Sequence, residues 1–298
     1  MGTRKERRAS TKSSEPFKNG RFKLQTIKKT LQKMNFLTRG YGGSIMYGLN
    51  SPESDIDYRG VYLSDDMNYI LGLDAGLKNF YNSADEDRKD EKEGKEIGWR
   101  DDEVYYELRH FMRLLRKTNS VTMELLFNTN WLVECLSWRT EIAANRNKLI
   151  DKDQFFNSLT GGDEKDRTSG YIGNEIRLML GERTGQLGGK RKAALDKYGF
   201  SYKNACQALR LVYAAKEFFE SGWFPTDFTN DPNFGLVKDV KFNPEKYSKD
   251  QVEDLVKAAR EELCEAYDNS EVETIFCEDT ATKICHTLYK PIIDSWCK

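Results

Sequence analysis

Asp55 and Asp57 stand two residues apart at the end of the segment Gly43-Ser44-Ile45-Met46-Tyr47-Gly48-Leu49-Asn50-Ser51-Pro52-Glu53-Ser54-Asp55-Ile56-Asp57. In a strand, side chains two apart share a face, about 6–7 Å from one another along the chain. Two carboxylates that close repel unless a cation sits between them. Mg²⁺ is a hard ion that takes one or two protein carboxylates together with substrate phosphates, so the pair is a candidate metal site for Mg²⁺ or Mn²⁺. Gly43-Ser44 adds a small turn whose backbone N–H groups and hydroxyl can approach a phosphate. A phosphate cradle followed by a metal-binding acid pair is the minimal equipment for phosphoryl or nucleotidyl transfer from a metal-bound nucleoside triphosphate.

The spacing resembles the DNA polymerase β nucleotidyltransferase superfamily, with Gly-Ser, a spacer and Asp-x-Asp. The longer string Gly43-Ser44-x-x-Tyr47-Gly48-x-x-Ser51-Pro52-x-Ser54-Asp55-x-Asp57-x-Arg59-Gly60-Val61 is similar to a nucleotidyltransferase family associated with RNA repair in bacteria and phages. Three later stretches fit the same family. They are Tyr106-Glu107-Leu108-Arg109-His110-Phe111 running to Glu124-Leu125-Leu126-Phe127, then Gly189-Lys190-Arg191, then Lys203-x-Ala205-x-x-x-x-Arg210-Leu211. The resemblance implies a polymerase-β-like core, an NTP substrate, a divalent metal and release of pyrophosphate. It also implies a third carboxylate from a neighbouring strand, which helps Asp55 and Asp57 hold the metal and acts on the attacking hydroxyl. Asp102 is the choice, four residues before Tyr106, with Glu103 the alternate in Asp101-Asp102-Glu103-Val104. Asn204 and Gln207 stand where the family pattern has histidines, so an imidazole role there is absent or altered.

The triphosphate side needs cations. Lys203, Gln207 and Arg210 recur at i, i+4 and i+7 and share one face of a helix, a pattern that suits a phosphate clamp. Gly189-Lys190-Arg191, after the Gly185-Gln186-Leu187-Gly188 stretch, reads as a mobile loop able to bring two cations over a bound nucleotide. Arg59 shares the strand face of the acids.

Around these residues the chain reads as an α/β (α+β) protein: a mixed-sheet core followed by an all-α part. Residues 1–21 form a basic arm, 22–128 the core and 129–298 the helical domain. Residues 1–33 carry eleven Lys and Arg against Glu6 and Glu15, a charge able to contact RNA, although the net charge of the chain is −1. Strands are expected at 35–41, 55–63 and 97–106. The 22–34 stretch reads as a short helix and the charged block 82–96 as a hairpin tip or loop. In the helix beginning near Tyr106, Leu108, Phe111, Met112 and Leu115 form a core stripe, and a second helix covers 121–127. Beyond residue 130 no strand is expected. Helices are expected near 137–148, 166–182, 202–221, 248–269 and 279–295, with a capped start at Ser248-Lys249-Asp250-Gln251.

No apolar run of membrane-spanning length occurs, and the N-terminal residues lack the apolar core expected of a signal peptide. Six cysteines without a Cys-x-x-Cys pair, alongside only two histidines, argue against zinc and for free thiols in a reducing cytoplasm. Two rival functions share these residues. One is a catalytically silent nucleotide- or RNA-binding module of the antitoxin kind; the other is an adenylyltransferase acting on a protein or small molecule.

Overall fold

The computed structural model describes residues 34–73, 79–82, 102–162, 169–182 and 189–297, with the backbone alone for 79–82 and Lys190. The basic arm, the 22–34 helix apart from Met34, the charged block beyond Asn82, Asp101 and the Lys190 side chain lie outside the described residues. Phe36–Lys298 forms one compact unit, separate from Met1–Asn35.

A five-stranded mixed sheet carries the front of this unit. Its strands are β1 (Asn35–Gly42), β2 (Asp57–Leu63), β3 (Asn79–Asn82), β4 (Asp102–Glu107) and β5 (Trp131–Glu134), in the order β3-β4-β2-β1-β5. β2 and β4 run parallel, with Asp57 opposite Asp102 and Val61 opposite Tyr106. β3 pairs antiparallel with β4, and β5 antiparallel with β1. β5 corrects the expectation of no strand after residue 130. Its four residues are too few to show an alternation, and Thr38↔Glu134 and Arg39↔Val133 pairing fixes it at the edge of the sheet.

Short helical turns leave the strands. α1 (Gly43–Met46) follows β1, and α2 (Met67–Ile70) follows β2. α3 (Leu108–Leu115) continues directly from β4, with Leu108, Phe111, Met112 and Leu115 buried as the stripe requires. Its N-cap is Glu107, fully buried, which accepts from Arg109 N–H at 2.8 Å and from Ser64 N–H at 3.2 Å and also from the Tyr289 hydroxyl. A buried carboxylate needs such donors to offset its desolvation. α4 (Ser120–Phe127) starts with an Asn119–Thr122 capping box.

Among the described residues the rest of the chain is mostly helical. The expected helix over 137–148 is a π-turn, Trp138–Ile142, running into a 3₁₀ turn, Ala143–Lys148. Then come α5 (Lys152–Thr160), α6 (Gly170–Met179), α7 (Gly189–Tyr198), α8 (Tyr202–Ser221), α9 (Phe234–Phe242), α10 (Lys249–Asp268) and α11 (Glu278–Trp296). α8 is the axis. Ala205, Ala208, Leu209, Val212 and Ala215 are fully buried, and α6, α9 and α10 pack around them. Small alanines let the neighbouring helices approach closely. α10 begins with the Ser248–Gln251 capping box read from the sequence. A single hydrophobic core runs from Leu37 and Val61 in the sheet to Val256 and Leu288 in the helices. Among the described residues no helix is long and apolar enough to cross a membrane.

One close approach holds the centre of the sheet. A Cβ on Gly60 would fall 2.3 Å from the Thr38 carbonyl oxygen of β1, which is backbone and cannot swing away. Gly60→Ala should therefore lower stability by about 1–3 kcal/mol, read as a lower urea midpoint with unchanged slope; an unaltered midpoint would contradict this packing.

Candidate active site

The acid pair is built against glycine. β1 runs into Gly42 and Gly43, and Gly43 has φ of +55°, a conformation that favours glycine. A Cβ there would lie 1.9 Å from Asp57 Oδ2, and one on Gly42 would lie 2.7 Å from Arg59 Cγ. The Asp57 carboxylate thus rests directly on the Gly43 backbone. Asp57 is the first residue of β2, so the expected strand over 55–63 begins two residues later. Asp55 sits in the exposed approach to the strand. That approach is shaped by Ser51 and Ser54: the Ser51 N–H donates to Ser54 Oγ at 2.9 Å and the Ser54 N–H to the Ser51 carbonyl at 3.0 Å. Both aspartates nonetheless line the same cleft.

Parallel register brings in the third acid. Asp102 stands opposite Asp57, and its N–H donates to the Ile56 carbonyl at 3.1 Å. Paired positions in adjacent strands share a sheet face, and Asp102 lines the cleft with Asp55 and Asp57. Glu103 turns to the other face. It is buried, accepts from the Tyr105 hydroxyl at 2.8 Å and pairs with Arg39 at 3.3 Å. Burial pushes the Tyr105 phenol up, so it stays a neutral donor. Of the two alternates, the cleft holds Asp102.

The cleft encloses about 1080 Å³ between the ends of β1, β2 and β4 and the helices α7, α8 and α9. The sheet side contributes the three aspartates, Gly43, Ser44 and Arg59. The helical side contributes Arg191, Lys197, Lys203 and Lys241. Gly189-Lys190-Arg191 opens α7, which corrects the reading of that tripeptide as a loop. Lys203 is exposed on α8 and lies on the cleft wall as the sequence implied. Lys241 was not anticipated, because α9 itself was not. Its Nζ donates to the Leu49 carbonyl at 2.5 Å. Burial pulls its pKa down, and neighbouring Lys203 adds to the effect while the Cys206 thiol opposes it. A lysine disfavoured as a cation in this way gains most from an arriving anion.

Arg210 corrects a second expectation. It does not line the cleft: only 1% of it is exposed. Its guanidinium lies 3.6 Å from the centre of the Tyr47 ring and donates to Glu124 Oε1 at 3.0 Å. The Tyr47 hydroxyl donates to the same oxygen at 2.5 Å. Burial disfavours the Arg210 charge, but its surroundings, with the Tyr47 ring face and the Glu124 carboxylate against it, more than offset this and its pKa lies above the ordinary value. Burial pushes the Tyr47 phenol well up, so it remains a donor. Tyr47, Glu124 and Arg210 therefore lock the turn after α1 to α4 and α8.

Asn204 and Gln207 take structural partners. Asn204 donates to Glu175 Oε2 at 2.7 Å and accepts from Ser201 Oγ at 2.6 Å, while Gln207 hydrogen-bonds Tyr171. Burial raises the Glu175 carboxyl above its usual range, the Asn204 hydrogen bond opposing this. Among the described residues no three His, Cys, Asp or Glu side chains converge to hold a metal ion by themselves.

A sheet that sets Asp57 and Asp102 side by side, with Asp55 on the approach to it and a Gly-Ser turn beside them, backed by helices that carry cations, defines a polymerase-β-like nucleotidyltransferase core. The chain belongs to the RNA repair pathway DNA polymerase beta family, whose model matches residues 18–259. No curated protein matches the chain significantly. α11 lies beyond the matched span, and its Tyr289 reaches back to the Glu107 cap of α3.

The Arg210 clamp has a measurable consequence. Arg210→Ala would leave Glu124 without its buried partner, at a cost of about 3–5 kcal/mol, whereas Lys203→Ala, at an exposed position, should leave the denaturation midpoint unchanged. Equal midpoints for the two variants in a urea titration would refute the clamp.

Proposed function

We propose that this protein transfers a nucleoside monophosphate from a metal-bound nucleoside triphosphate to a hydroxyl acceptor, an RNA end being favoured, with release of pyrophosphate. The observation that carries this reading is the placement of Asp57 and Asp102 side by side on one sheet face, with Asp55 beside them, across a cleft from Lys203, Lys241 and Arg191. The donor set fits Mg²⁺ or Mn²⁺. Its oxygens are hard ligands, and an ion that takes one or two protein carboxylates and completes its shell with phosphate and water requires no ready-made cluster of three. When bound, such an ion neutralises phosphate charge and polarises the phosphoryl oxygens.

The chain's own residues account for the rest. Asp55 and Asp57 hold the metal, and Gly43 and Ser44 offer the small surface on which the triphosphate lies. Asp102, next to Asp57, accepts the proton of the attacking hydroxyl. A bond forms from that oxygen to the α-phosphorus, and the bond from the α-phosphorus to the bridging oxygen of pyrophosphate breaks. Lys203, Lys241 and Arg191, with Lys190 as a further candidate, stabilise the charge that gathers on the leaving group. On this reading the core up to residue 128 carries the chemistry and the helices after it balance the phosphate charge, within one hydrophobic core and with β5 adding to the sheet. RNA as acceptor is supported by the family's description and by the basic residues of 1–33. The reading of cytoplasmic residence rests on the six free cysteines. An intact aspartate set favours an enzyme over a silent binding module.

Incubation with each α-labelled NTP, Mg²⁺ and RNA should move label onto the RNA and release pyrophosphate. Asp57→Asn and Asp102→Asn should each slow this by at least about a hundredfold, the lower range for loss of acid–base or metal function. Glu103→Gln should keep the rate. Gly43→Ala should lose activity with Asp57→Asn, since its Cβ would displace the Asp57 carboxylate. Near-normal turnover in Asp102→Asn, or a severe loss in Glu103→Gln alone, would overturn the assignment.

A further inference from the structure

The mouth of the cleft alternates cations with partly exposed rings. Tyr198 ends α7 and Tyr202 begins α8, their rings edge to face at 6.1 Å. Lys197 Nζ lies 4.7 Å from the centre of the Tyr198 ring. Phe242 ends α9 with 39% of its surface exposed, and Lys241 Nζ lies 5.3 Å from its ring. All five side chains line the cleft. A phenylalanine open to solvent in a cleft mouth costs hydrophobic free energy that covering it would recover. The rings come from three helix ends, so no single amphipathic stripe explains their exposure.

From this arrangement we propose that Tyr198, Tyr202 and Phe242, with Lys197 and Lys241, form a single-strand subsite on which unpaired bases of an RNA acceptor stack. This rests on the reading above that the acceptor is RNA. Rings beside backbone-seeking cations are the equipment for binding single strands, because every base has a face to stack and every linkage a charge to meet. A duplex would keep its bases stacked on each other and offer none to these rings. The cleft, at about 1080 Å³, is slightly larger than the roughly 300–1000 Å³ of a pocket for one small ligand. Charge divides the two substrates as well. Arg191 and Lys203 serve the triphosphate, whereas Lys197 stands beside Glu245 on the rim, where a singly charged phosphodiester is easier to accommodate than a triphosphate. Lys241 stands between the two.

The test measures two affinities on the full-length protein. One is for a short, unstructured, fluorescein-labelled RNA, by anisotropy. The other is for a Mg²⁺-bound, non-hydrolysable NTP analogue, by calorimetry. Tyr198→Ala and Phe242→Ala should each weaken RNA binding by at least about fivefold, the low end for loss of a base–ring stack, and leave NTP binding unchanged. Tyr198→Phe, which keeps the ring, should bind RNA as the wild type does. Phe242→Ala, at the exposed ring, decides the matter alone should Tyr198→Ala fail to fold. RNA binding that survives Phe242→Ala, or NTP affinity that falls in its place, would overturn the subsite and leave the proposed reaction standing. A wild-type protein that releases pyrophosphate but binds no RNA would remove the RNA acceptor, and the subsite with it.

Discussion

The guanidinium of Arg210, held between the Tyr47 ring and the Glu124 carboxylate, is the contact on which the cleft depends. Desolvating a cation is costly, and only a close counter-charge with good geometry makes the burial tolerable. Here the carboxylate is shared by Arg210 at 3.0 Å and the Tyr47 hydroxyl at 2.5 Å, and the ring face meets the cation at 3.6 Å. The three residues come from the segment after α1, from α4 and from α8. Together they fix the Gly-Ser turn relative to the helix that carries Lys203. A rigid link of this kind suits a reaction whose two substrates must meet at fixed distance, since proximity and alignment supply much of the rate.

A second constraint is steric. Gly43 lets the Asp57 carboxylate lie against backbone, and Gly60 lets β1 and β2 close beneath it. Larger residues at either place would lift the acid out of line with Asp102. The electrostatics follow from the topology. The three aspartates stand on the sheet side of the cleft, where β2 and β4 begin side by side, and Glu124, Glu175 and Glu245 line its helical side. Cations gather on the helical side, where α7, α8 and α9 meet. Neither wall alone suits a metal–triphosphate, which presents positive charge to one side and negative to the other.

Much of this was legible in the sequence where it depends on neighbours in the chain. Gly43, Ser44, Asp55 and Asp57 lie within one short segment, so local spacing brings them together, while strand alternation only puts Asp102 and Glu103 on opposite faces and the resemblance chose between them. An α/β front followed by helices was also legible from the change in periodicity, and the resemblance implied the mixed sheet. What was hidden depends on length and depth. β5 is too short to alternate visibly, and α9 is short, with only Val237 and Val240 fully buried. Lys241 was therefore missed. Arg210 shares a helical face with Lys203, yet seven residues along a helix is about 10 Å. That displacement carries Arg210 from the cleft wall into the interior, a difference that helical angle cannot show. Arg191 follows a glycine-rich stretch that resembles a loop, although Lys192, Ala193, Ala194 and Leu195 continue as good helix formers.

The most direct test of the central claim is to locate the metal. Crystals grown with Mn²⁺ and a non-hydrolysable NTP analogue should show an anomalous peak against the carboxylates of Asp55 and Asp57, near Asp102, with the triphosphate reaching toward Lys203 and Lys241. A metal and triphosphate bound elsewhere on the molecule, with those aspartates untouched, would contradict the account.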